Sequence, residues 1–90
     1  MMDHIPPQNI EAEQSILGAI ILEPDALLHA SDIISRDDFY KTSHQKIYDS
    51  LLDLYHLGET IDLISICERL RTKGQLEEVG GACYIATLAD

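Results

Sequence analysis

The chain has no tryptophan, two cysteines and only six lysines and arginines against sixteen aspartates and glutamates. The shortage of cations bears first on partners. Nucleic-acid affinity comes largely from Lys and Arg neutralising phosphates, and only Arg36, Lys41, Lys46, Arg69, Arg71 and Lys73 could supply that here. At a net charge of −10, the domain is a poor candidate for gripping DNA alone. The charge serves solubility, or it forms a surface that docks a basic protein partner. Cys67 and Cys83 are far apart and flanked by apolar residues. Nothing suggests secretion, so both read as reduced core cysteines. No hydrophobic run approaches the ~20 residues that span a bilayer. The N-terminus also lacks the basic and apolar regions of a secretory signal. The expected location is the cytoplasm.

Sites for chemistry are missing as well. None of Gly18, Gly58, Gly74, Gly80 and Gly81 opens a phosphate-cradling loop followed by Lys and Ser or Thr. Gly80-Gly81 reads as a turn. His4, His29, His44 and His56 lack the paired spacings of metal sites, and the cysteines are isolated. The acidic stretch Asp32 to Asp38 lacks the alternating ligands, central Gly and final Glu of a calcium loop. Ser15 or Ser43 could meet a histidine in space, but no strained turn presents a serine nucleophile. No catalytic residue, metal site or nucleotide site is expected in this chain. A helix-turn-helix around Gly58 and Thr60 would need basic residues on its second helix, and Leu63 to Glu68 has none.

What is present is helical punctuation. Ninety residues make one small domain. An extended lead-in is expected over residues 1–8, because Pro6 and Pro7 fix φ and remove backbone donors. A helical head follows over residues 9–90. Asn9 caps a helix from about Ile10 to Leu22, with Glu11 and Glu13 at the positive end of its dipole. Pro24 pushes Glu23 out of the helical region and suits the start of a second helix. That helix has one apolar face, from Ala26, Leu27, Ala30, Ile33 and Ile34. Phe39 and Tyr40 are expected to dock back after a polar turn. The third helix runs from about Ser43 to Leu57, burying Ile47, Tyr48, Leu51, Leu54 and Tyr55, and Gly58 stops it. Asp62 caps the fourth, about Leu63 to Lys73, whose inward residues are Leu63, Ile66, Cys67 and Leu70. Gly74 ends it. A short turn over Gln75 to Glu78 leads to a last helix from about Ala82, carrying Tyr84, Ile85 and Leu88. This helix reaches Asp90 without a stop signal, as expected of a piece cut from a longer chain. The pattern predicts an all-α fold, a compact orthogonal bundle of about five to six short helices.

Two polar residues break the apolar stripes. Glu13 lies three, four and seven residues before Ile16, Leu17 and Ile20, and His44 stands in the same relation to Ile47, Tyr48 and Leu51. Buried charges are paired or neutralised. Either the two meet in the core, imidazole donating to carboxylate, or Glu13 caps its helix and His44 bonds a backbone carbonyl.

Taken in order, several segments resemble one family. They are Pro6-Pro7-Gln8-Asn9-Ile10-Glu11-Ala12-Glu13-Gln14-Ser15-Ile16-Leu17-Gly18, Asp38-Phe39-Tyr40, His44-Gln45-Lys46-Ile47-Tyr48, Ile61-Asp62-Leu63 and Gln75-Leu76-Glu77-Glu78-Val79-Gly80-Gly81-Ala82-Cys83-Tyr84. The set is similar to the N-terminal domain of the bacterial replicative DNA helicase, DnaB. The resemblance implies a noncatalytic head in the collar of a hexamer, built as a trimer of dimers, that supports ring assembly and recruits primase. A helicase loader is a further implied partner. The ATP-driven motor, with its ATP and Mg2+, is implied to lie in a separate C-terminal RecA-like domain. A helical hairpin carrying dimer contacts is implied to follow the head. Matching positions make Glu11, Glu78 and Tyr84 candidates for the primase-facing surface. Otherwise Tyr84 is core, Glu11 a dipole partner and Glu78 solvated. The alternative function is an acidic helical regulator unrelated to replication. An independent small enzyme would need a pocket with convergent polar groups, of which the sequence gives no positive sign.

Overall fold

The computed structural model describes residues 8–90. The lead-in expected over residues 1–8 lies outside them except for Gln8, whose φ is 60°. Five α-helices follow: α1 Ile10–Leu22, α2 Ala26–Ile33, α3 Thr42–His56, α4 Leu63–Thr72 and α5 Gly81–Leu88. A 3-10 turn, Arg36–Asp38, joins α2 to α3.

The local signals act as physical chemistry requires. Asn9 accepts from the Ala12 N–H at 3.0 Å and so caps α1. Asp62 accepts from the Ser65 N–H at 2.8 Å, while Ser65 Oγ accepts from the Asp62 N–H at 2.9 Å. That reciprocal box starts α4. Gly58 and Gly74 end α3 and α4 with φ of 72° and 70°, the left-handed region that glycine enters without a Cβ penalty.

The helices close into one all-α bundle around α3. Ile47, Tyr48, Leu51 and Leu54 of α3 are buried, with Leu17 and Ile20 of α1, Ile66 and Leu70 of α4, and Ile85 of α5. Phe39 caps this core, its ring 5.0 Å from that of Tyr48. The Tyr48 hydroxyl donates to the Ile34 carbonyl at 2.6 Å, tying α3 to the end of α2. Burial, with a smaller contribution from the Asp38 charge, pushes the Tyr48 phenol above its ordinary pKa. Outside the core, Asp53 of α3 accepts from Arg69 of α4 and from Lys73 just past its end, each at 3.0 Å. No described helix is long and apolar enough to cross a membrane.

Several expected core residues are instead at the surface. Tyr40 is 61% exposed. Its neighbour Phe39 has extended backbone, and successive side chains of an extended segment point to opposite sides. Burying Phe39 therefore turns Tyr40 outward. Tyr55 and Leu63 lie at the edges of their stripes, half-exposed, and Ile33 is exposed at the end of α2. Cys67 is buried as expected, but Cys83 is exposed. On α5 the inward residues are Ile85 and Leu88; Cys83 precedes Ile85 by two positions, about 200° around the helix.

Candidate functional site

The two polar residues that interrupt the apolar stripes are both fully buried, and they touch. Glu13 Oε1 lies 2.7 Å from His44 Nδ1. The Tyr40 N–H donates to Glu13 Oε2 at 2.6 Å, and the Lys41 N–H reaches Oε1 at 3.4 Å. A buried carboxylate is costly unless its lone pairs are met. Here one imidazole N–H and two backbone N–H groups meet them. The carboxylate of α1 thereby fixes the chain just before α3.

The relay continues past the imidazole. His44 Nε2 is 2.6 Å from the Tyr84 hydroxyl, and the Gln14 amide donates to that same oxygen at 3.1 Å. The His44 and Tyr84 rings are nearly parallel, with 10° between their planes and centroids 5.9 Å apart. Phe39 presents an edge contact to His44, with centroids 6.4 Å apart. In the tautomer whose Nδ1–H donates to Glu13, Nε2 accepts from the Tyr84 hydroxyl. One line of hydrogen bonds thus joins α1, α3 and α5.

Tyr84 is partly buried and packs against the core. Its ring has two further neighbours. The Lys41 ammonium stands 5.4 Å from the centroid, a cation–π distance. Beneath lies Gly80, with φ of 114°. A Cβ there would come within 2.8 Å of Tyr84 Cβ, so glycine is required both by the backbone and by the ring above it.

The other candidate surface residues stand apart from this relay. Glu11 is exposed in the first turn of α1. It lies three residues before Gln14, and so on the same helix face. It lines an open cleft of about 840 Å³ between α1 and the end of α5. Glu78, in the turn before α5, pairs with Lys46 of α3 at 2.6 Å. No hydrogen bond or ion pair joins Glu11, Glu78 and Tyr84 to one another among the described residues. No group of three or more His, Cys, Asp or Glu side chains that could hold a metal ion occurs among them either. Sequence reasoning missed Gln14 and Lys41. Neither carries a local signal, since their roles come from Tyr84, 70 residues beyond Gln14.

The comparisons with known proteins agree with this architecture. The DnaB-like helicase N terminal domain matches residues 5–90. The chain belongs to this family. It is 51% identical over 88 residues to the replicative DNA helicase DnaC of Bacillus subtilis (strain 168), and 48% identical over 88 residues to the replicative DNA helicase DnaB of Geobacillus stearothermophilus. Each match covers 98% of this chain but 19% of the relative's length. The crystal structure of the N-terminal domain of DnaB helicase from Mycobacterium tuberculosis is similar at a TM-score of 0.89 and 42% identity. That match covers 93% of this chain and 58% of the solved one. The DnaB-like all-α fold is therefore common to both.

Proposed function

We propose that this DnaB-like domain is a noncatalytic assembly and docking head of a hexameric replicative helicase, and that it recruits primase through a surface containing Tyr84. The observation carrying this reading is the family match over residues 5–90, together with a partly exposed tyrosine anchored in the core. Rigid aromatics make good interface anchors, because little conformational freedom is lost on contact. Glu11 contributes to the same side of the domain through α1, and Glu78 a separate anionic point beside Lys46. ATP and Mg2+ belong to a motor elsewhere in the parent protein, and a loader is a further partner.

The test is deletion of residues 1–90 from the parent helicase. Hexamer yield in sedimentation and co-sedimentation with primase should both fall, while ATP hydrolysis persists. Undiminished primase binding by the deleted protein would refute the docking role.

A further inference from the structure

The proposed docking residue is held from inside the domain. The Tyr84 hydroxyl is engaged by His44 at 2.6 Å and by Gln14 at 3.1 Å. His44 is fixed in turn by Glu13 at 2.7 Å, and Glu13 by the Tyr40 N–H at 2.6 Å. Glu13 and His44 are themselves 0% exposed, so packing as well as hydrogen bonding locks their rotamers. Gly80 supports the Tyr84 Cβ from below and Lys41 flanks its ring. With its hydroxyl tied inward, Tyr84 offers a partner its ring and not its oxygen.

We propose that Glu13 and His44 are positioning residues for the docking surface. Acting through the Tyr84 hydroxyl, they hold the ring in one orientation before a partner arrives. The proposal rests on the reading of Tyr84 as a docking residue. Its physical basis is the entropy of immobilising a side chain on binding, which a pre-ordered ring has already lost. Freeing the ring therefore weakens binding by roughly three- to tenfold, the equivalent of ordering one such side chain.

The experiment measures two quantities on each variant of this chain. One is affinity for primase, by titration calorimetry. The other is the order of the ring at position 84, by 13C relaxation. Tyr84→Phe keeps the ring and removes only its tether. Glu13→Gln keeps the side-chain shape but turns into a donor one of the two oxygens that meet His44 Nδ1 and the Tyr40 N–H. Both are expected to loosen the ring and to weaken binding by roughly three- to tenfold. Leu70→Val, in the core of α4, should lower stability while leaving ring order and affinity unchanged, which separates positioning from general loosening. Tyr84→Ala reports on the docking reading itself. If it abolishes binding while Tyr84→Phe leaves ring order and affinity unaltered, positioning is overturned and docking stands. If Tyr84→Ala binds like the unmodified chain, the docking reading falls and the positioning role falls with it. Should Glu13→Gln fail to fold, Tyr84→Phe decides alone, since it deletes one oxygen from a partly buried side chain.

Discussion

Gly18 of α1 and Leu88 of α5 meet so closely that a Cβ on Gly18 would overlap the Leu88 carbonyl. The neighbour is backbone, which cannot swing aside like a side-chain tip. Two helices approach at the one α1 position where no side chain intervenes. Gly18→Ala should therefore destabilise by about 1–3 kcal/mol through overpacking, even though alanine is the better helix former by about 1 kcal/mol. Urea unfolding followed by circular dichroism measures the sign. A stabilised variant would mean that α5 lies further from α1.

The buried contact between Glu13 and His44 should be energetically coupled. Glu13→Ala and His44→Ala are each expected to cost about 1–3 kcal/mol, because each leaves its former partner buried without the hydrogen bond that joined them. The double variant should cost less than the sum of the two, by about 0.5–3 kcal/mol. Strict additivity in a double-mutant cycle would contradict the pairing.

The two thiols should differ in reactivity. Cys67 is buried and Cys83 exposed. Burial raises the Cys67 pKa most; the Arg71 charge opposes that and Glu68 adds to it. The thiolate is the reactive form, so Cys67 is protected twice over. In native buffer a maleimide should label one thiol per chain, mapping to Cys83. A second should appear only on addition of denaturant. Equal labelling of both in the folded state would refute this placement.

The clamp between α3 and α4 should weaken in acid. Burial opposes ionisation of Asp53, but the hydrogen bonds and charges of Lys73 and Arg69 outweigh it and hold the carboxyl below its ordinary pKa. A depressed carboxylate contributes stability above its unfolded pKa of about 3.9 and loses it as pH falls through the lower folded value. Its side chain is 32% exposed, so the effect is small, about 1 kcal/mol or less. Asp53→Asn should remove that part of the acid dependence, with wild type and variant converging once the pH is below the folded value. Thermal melts between neutral pH and pH 2 would reveal it. Parallel curves would assign no such role to Asp53.

Local signals explain most of what the sequence made legible. The Asn9 cap, the Asp62 box, and the stops at Gly58 and Gly74 each depend on residues within one turn of one another. Burial at stripe edges was less legible, because it depends on how neighbouring helices cross. Tyr55 and Leu63 follow the helical period yet finish half-exposed. Tyr40 shows the limit of composition: an aromatic beside a core aromatic is turned out by the alternation of extended backbone. For Glu13 and His44, periodicity signalled that each faces inward, but left open what each would meet. Their link to Tyr84 was hidden, since His44 and Tyr84 are 40 residues apart and no spacing rule spans that interval.

The ion pairs carry one more consequence, for self-association. Arg36, Lys46, Arg69, Arg71 and Lys73 are each engaged by a carboxylate of the same chain. Among the described residues only Lys41, set against the Tyr84 ring, is left without one. Cross-bridging between copies has almost no free cation to draw on, while a net charge of −10 pushes like molecules apart over roughly a Debye length, about 10 Å at 0.1 M salt. Added electrolyte should therefore ease the approach of one head to another, the reverse of the response of subunits stapled by opposite charges.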